Sequence, residues 1–252
     1  GLNIDKVVRV AKIYQKVNHF PGMVNIYRKS NLARSMAKMA KINAKEYGFY
    51  PRTWVLPAED AEVQKYLNHN LSSDDKRGSR CIIVKPSGGA QGKGIYLCMH
   101  PAALKESEDA VAQIYIHRPL LIDSFKFDLR IYALVTCVDP LRVLIYKEGL
   151  VRLCTTPYHV PDMSNVGCSY MHLTNYSVNK HNEAFVQNNY PGEEGDASKR
   201  SLAWLWQWML SNGHSQNENG TPGTLLRGTI VLLSRWPSTF WCTQRLCADA
   251  KV

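Results

Sequence analysis

The chain has 252 residues, of which 45% are hydrophobic and 21% charged, with a formal net charge of +10. That is enough chain to bury a full core, as one large domain or two small ones, and the composition is ordinary for a globular protein. Its longest apolar runs, RVLIY at 142–146 and TIVLL at 229–233, are too short for a membrane-spanning helix, and no signal-peptide core follows the amino terminus. Seven cysteines, at 81, 98, 137, 154, 168, 242 and 247, form no C-x-x-C pair. An odd, scattered set predicts reduced thiols in cytosol rather than a secreted disulfide framework.

Charge is concentrated at the start. Residues 1–50 hold ten lysines and arginines against Asp5 and Glu46, a net of +8. A solvated face and a docking surface for an acidic partner explain such a run equally well. Nucleic acid would fit the charge too, but the aromatic platforms and the RNP-type or zinc signatures that support it are missing.

In chain order, Ser30 to Glu46 reads as a helix capped by Ser30 or Asn31. Leu32, Met36, Met39 and Ile42 fall near one face, and Lys38, Lys41 and Lys45 on another. FYPRTWVLP at 49–57 extends through two prolines, and Ala58 to Leu67 is a second short helix. A polar loop fills 68–80. Cys81 to Val84 and Ile95 to Cys98 are apolar strand candidates flanking a glycine-rich loop. Ala110 to Ile116 reads as a strand. Phe127 to Val138 and Leu141 to Tyr146 read as an antiparallel pair joined at Asp139-Pro140, with Gly149 to Thr156 as a further strand. Residues 181–200 form a polar loop, and Ser201 to Leu210, with three tryptophans, reads as a buried helix.

Two stretches carry charge where apolar residues are expected. IVKPSGGAQGKGIYL, at 83–97, is not a Walker loop, because Ser87 and Gly94 stand where that motif needs Gly and Ser or Thr. Nor is it a dinucleotide fingerprint, since Leu97 replaces the last glycine. Its glycines let backbone amides approach an anion, and Lys85 sits at the end of a strand. A flexible surface hairpin is the plainer account. In KFDLRIY, at 126–132, Lys126, Asp128 and Arg130 share one strand face, opposite Phe127, Leu129 and Ile131. Alone, that pattern fits a plain surface strand as well as a charged ligand. Together with Lys85 and the glycine loop, a polyphosphate site is the better account.

NHFPGM, FYPRTWVLP, KPSGGAQGKGIYL, RPLLIDSFKFDLRIYALVT, DPLRVLIYKEGLVRLCTTPY, MHLTNYSVNKHNEAF and SKRSL occur in that order from about residue 15 to 210. Together they resemble the tubulin tyrosine ligase-like enzymes, and within them the polyglutamylase branch. The resemblance implies an α/β (α+β), ATP-grasp-like fold, two lobes around a central antiparallel sheet. It implies an ATP-dependent ligase that phosphorylates an acceptor glutamate carboxylate and joins free L-glutamate to it through an acyl phosphate. Microtubules, through tubulin's acidic carboxy-terminal tails, are the implied partner, with neither nucleic acid nor membrane. A monomer acting in cytoplasm and cytoskeleton, cilium or basal body included, is expected.

Carried over residue by residue, the resemblance puts Lys85, Gln91, Gly92, Lys126, Phe127, Asp128, Thr174 and Asn175 at ATP. Gln113, Ile114, Tyr115 and Ile116 match the hinge whose backbone reads adenine. Arg152, Tyr176 and Lys199 match residues that hold the incoming glutamate. Arg130 is assigned to the acyl-phosphate step, and His172 to a structural role. The expected organisation is a basic lobe at 1–80, an ATP-grasp region at 81–210 and a divergent tail at 211–252. Relatives continue with an acidic strand residue and a Glu-x-Asn pair that hold magnesium, and nothing after Leu210 matches them. Glu218 and Asp249 are the only carboxylates in that tail. The family's carboxy-terminal part is therefore expected to be missing or replaced. The magnesium that works with ATP is left without ligands, and a catalytically impaired microtubule- or nucleotide-binding module stands as the alternative.

Overall fold

The computed structural model describes residues 4–15, 17–68, 80–106, 109–188 and 194–213. In chain order its helices are α1 Ile4–Val10, α2 Val24–Tyr27, α3 Lys29–Ile42, α4 Ala44–Tyr47, α5 Asp60–Asn68, α6 Ser169–His172, α7 Tyr176–Asn179 and α8 Leu202–Ser211. Its strands are β1 Thr53–Leu56, β2 Ile82–Pro86, β3 Tyr96–Cys98, β4 Ala110–Ile114, β5 Leu121–Ile122, β6 Phe125–Val138, β7 Leu141–Leu153 and β8 Lys199–Ser201. The fold is mixed α/β. Two four-stranded antiparallel sheets, ordered β1-β4-β2-β3 and β5-β6-β7-β8, stand where one central sheet was expected.

The first sheet buries Trp54, Leu56, Ile82, Val84 and Ala112 against Val63 and Leu67 of α5. β1, from the basic amino-terminal segment, joins this sheet through β4, pairing Thr53 with Gln113. Helix α3 covers part of it, with Ala33 packed on Val55 and Val111. The helix begins at Lys29, and neither expected residue caps it; Arg28 precedes it in extended conformation without a side-chain cap bond. Ser30 lies inside the first turn, where its hydroxyl meets the Ser87 hydroxyl at 2.7 Å in a buried contact. A tertiary partner has displaced the local cap. The apolar stripe also ends early, since Ile42 is exposed while Leu32, Ala33 and Met36 are buried.

The second sheet is dominated by one long hairpin. β6 and β7 pair from Val138↔Leu141 back to Phe127↔Leu153, with register shifts between Ile131 and Ala133 and between Val135 and Cys137. Gly149 to Thr156 is thus not a further strand: its first residues are the second half of β7. The irregularity absorbs Lys147 and Glu148, so the apolar pattern breaks while the ladder continues. Gly149 is required by packing, because a Cβ there would collide with the Arg130 carbonyl oxygen and the Leu202 side chain. The core of this half joins Phe127, Leu129, Ile131, Val151 and Leu153 to Leu202, Leu205 and Met209 of α8. Each such side chain, fully buried, stabilises by roughly 1.5–3 kcal/mol. The three tryptophans expected to be buried are only partly so. β8 arose inside a stretch read as loop, three residues with no alternation to announce them.

Among the described residues no helix is long and apolar enough to cross a membrane. Cys81, Cys98, Cys137, Cys154 and Cys168 are unbridged. From residue 214 on, the expected divergent tail lies outside the described residues.

Candidate functional site

Lys85 lies next to last in β2, paired with Val111 of β4. Its ammonium donates to Gln113 Oε1 at 2.8 Å, and Gln113 Nε2 donates in turn to Thr53 Oγ1 at 2.8 Å. A lysine on a sheet, oriented by an amide, has few positions for its charge. The glycine loop then turns through left-handed backbone at Gln91 (φ 61°), Gly92 (φ 80°) and Gly94 (φ 68°). It folds onto α7. A Cβ on Gly92 would stand 3.0 Å from Asn175 Cγ and from Val178 Cγ2, and the Ser177 hydroxyl donates to the Gln91 carbonyl. Thr174 and Asn175, both buried, therefore share a neighbourhood with Gln91 and Gly92.

A polar relay starts at Lys126 on β6. Lys126 is 8% exposed, yet it makes no ion pair among the described residues. Its ammonium lies 4.2 Å from the centre of the Tyr115 ring and donates to the Tyr115 hydroxyl at 2.9 Å. That hydroxyl accepts from the lysine and, because His172 Nε2 meets only oxygens and so keeps the proton of the neutral ring, donates onward to His172 Nδ1 at 3.1 Å. His172 Nε2 then carries the proton and faces two Asn165 oxygens, both at 3.2 Å. Burial, reinforced by the Lys126 charge, lowers the His172 pKa from 6.5 to about 4. At neutral pH the ring is uncharged, buried and hydrogen-bonded at both nitrogens, in line with the expected structural role.

A third group crosses three strands. Asp128 pairs with Arg152, and Arg152 with Lys199, in adjacent registers of β6, β7 and β8. Arg152 Nε donates to Asp128 Oδ1 at 2.7 Å, and its terminal nitrogen to the second carboxylate oxygen, a bidentate pair with both side chains buried. Lys199 Nζ lies 4.6 Å from the centre of the exposed Tyr176 ring. Arg152, Lys199 and Tyr176 thus converge, but Arg152 is also committed to Asp128. Its remaining N–H donors are the ones left for another partner. Arg130, farther along the same β6 face and opposite Leu150, is half-buried and has no ion-pair partner among the described residues. Phe127 points the other way, into the core.

At the hinge the Ile114 amide donates to Arg52 O at 3.0 Å and the Tyr115 amide to Cys81 O at 2.9 Å. Among the described residues no backbone hydrogen bond engages Ile116. Of the hinge residues it therefore has main chain left to offer. Sequence reasoning missed Asn179, which is fully buried and organises the segment after Thr174. Its Oδ1 accepts from the Thr155 amide at 3.0 Å and hydroxyl at 2.9 Å, while its Nδ2 donates to Leu173 O at 2.6 Å. The signal was there in NYSVN, two asparagines one helical turn apart. It also missed the Tyr115 hydroxyl, since only that residue's backbone was considered.

The tubulin-tyrosine ligase family model matches residues 8–217. The chain belongs to that family. It is 47% identical over 201 residues to tubulin polyglutamylase TTLL7 of Xenopus tropicalis, a match covering 80% of this chain and 22% of the relative. It is 44% identical to tubulin polyglutamylase TTLL6 of Mus musculus, covering 85% of this chain and 24% of the relative. Human tubulin polyglutamylase TTLL13 is 45% identical, covering 86% of this chain and 25% of the relative. The chain spans about a quarter of the length of these curated relatives.

Proposed function

We propose that the chain carries the nucleotide and amino-acid half-sites of an ATP-dependent tubulin glutamate ligase. One observation carries the reading: Lys126 is a buried ammonium with no carboxylate in ion-pair contact among the described residues, in a chain that also sets Lys85 and a glycine loop on the neighbouring sheet. Burying an unpaired charge is costly, so such a site is built for a ligand that brings negative charge with it. A triphosphate supplies that charge, and the polyglutamylase relatives point to the reaction that uses it.

In this reading Lys85 and Lys126 hold the phosphates of ATP. The loop with Gln91 and Gly92 covers them, Asp128, Thr174 and Asn175 line the nucleotide, Phe127 packs the strand beneath it, and Ile116 main chain meets adenine beside Gln113, Ile114 and Tyr115. An acceptor glutamate carboxylate attacks the terminal phosphorus, forming an acyl phosphate and releasing ADP. The amine of free glutamate then attacks the acyl carbon, loses a proton and expels phosphate, leaving an isopeptide bond. The protein's part is positioning and charge compensation. Arg152 and Lys199 meet the carboxylates of the incoming glutamate, with Tyr176 as its wall, and Arg130 faces the acyl phosphate. Two cations suit a dianionic amino acid better than a neutral aromatic one.

Magnesium fits the described residues poorly. Among them no three His, Cys, Asp or Glu side chains cluster to hold a cation, and Asp128 is already bound by Arg152. The basic segment at 1–80 draws the chain to tubulin's acidic tails, with 81–210 as the ligase region, which places its action at the cytoskeleton, cilia and basal bodies included. The test is nucleotide binding by calorimetry for wild type and Lys126→Met. Wild type takes up ATP and the variant loses at least about tenfold in affinity. Equal affinity would refute the assignment. Microtubule binding that persists without any glutamate incorporation would favour a binding module instead.

A further inference from the structure

The glycine loop is gripped from outside the nucleotide site, by the start of the basic helix α3. The Lys29 ammonium donates to the carbonyls of Pro86 and Gly89, each at 2.7 Å, and lies 3.4 Å from the Ser87 carbonyl. Its neighbour Ser30 adds the buried 2.7 Å contact between hydroxyls of Ser30 and Ser87. One lysine therefore gathers three carbonyl oxygens from four consecutive loop residues onto one side.

A trans peptide is planar, with its N–H antiparallel to its C=O. Turning the Ser87 and Gly89 carbonyls toward Lys29 turns the Gly88 and Ala90 amides away from it. Neither amide makes a backbone hydrogen bond among the described residues. Successive amides aimed to one side form a concave donor set suited to an anion. We infer that Lys29, with Ser30, is a positioning residue: it fixes the loop so that the Gly88 and Ala90 amides face the phosphates. This inference rests on the functional reading above for the identity of the anion, though not for the clasp itself. It also makes α3, whose Lys38 and Lys41 are exposed, mechanically continuous with the loop.

Two measurements on the full chain decide it. Hydrogen exchange of the 86–94 segment without nucleotide reads the clasp. Exchange there speeds up in Lys29→Met and Ser30→Ala while α5 and α8 keep their protection, and Lys29→Arg restores part of it. Binding of ATP, ADP and AMP reads the consequence. Lys29→Met weakens ATP and ADP roughly tenfold, the worth of a charged hydrogen bond, while AMP, which lacks the phosphates under the loop, is little changed. A uniform loss across the three nucleotides, or unchanged exchange at 86–94, overturns the inference. If wild type takes up none of the three, the functional reading falls. The exchange arm then decides the clasp alone, faster exchange in both variants supporting it and unchanged exchange sinking it.

Discussion

His172, expected to be structural, serves the frame through its charge state. Its hydrogen bonds to Tyr115 and Asn165 need the neutral ring, and burial lowers its pKa from 6.5 to about 4. The unfolded chain therefore takes up a proton that the folded chain refuses. Stability from this group is fully present above pH 6.5 and is lost as pH falls toward 4. In urea titrations the unfolding midpoint should drop across that window, and His172→Phe, weaker at pH 7, should show a flatter drop. Parallel curves would contradict the assignment. At this scale the sequence was informative about residue type and silent about partners. KFDLRIY announced a charged strand face, but nothing in it told that Asp128 would be taken by Arg152, some twenty residues away and brought alongside only by the register of β6 and β7.

Elements were legible where periodicity was clean. The β6 alternation, the two strands around the glycine loop and the α5 pattern all read correctly, because residue type keeps the period in each, even where both faces of β6 are buried from Lys126 to Leu129. β7 was read as two pieces because Lys147 and Glu148 interrupt its pattern at an irregular register, information held by the partner strand. β8 was missed since three residues carry no period, although its Lys199 is one of the residues brought to Tyr176. The α3 cap was misplaced for the same kind of reason: Ser30 has a buried partner far along the chain. Gly149 offers a test at this scale. Gly149→Ala must push α8 off the sheet or shift β6, so it should lower thermal stability by several degrees, on the order of 1–3 kcal/mol. A melting temperature equal to wild type would mean that α8 does not sit tightly on β7.

At the scale of the molecule, the excess positive charge lies mostly in residues 1–50, and the exposed Lys38, Lys41 and Lys45 belong to it. Attraction between solvent-exposed charges weakens over a Debye length of about 8 Å at physiological salt. Co-sedimentation with microtubules should therefore fall steeply with added salt, and more so than binding to microtubules stripped of their acidic tails. Binding indifferent to both salt and tails would remove the electrostatic argument. The overall architecture was partly legible. Composition indicated a buried core, and the motifs pointed to the family. The division into two sheets was not readable, because it depends on which strands fail to pair.

The β6–β7 ribbon joins the far corners of this design. One end carries Lys126 and Asp128. At the other, Val135, Leu141 and Val143 lie against Ile26, Leu32 and Met36 in the basic helices. The strand is on the order of 40 Å long, and two register shifts interrupt its ladder on the way. A displacement of those helices still has a continuous backbone route, along one strand, to the buried ammonium and carboxylate at its opposite tip.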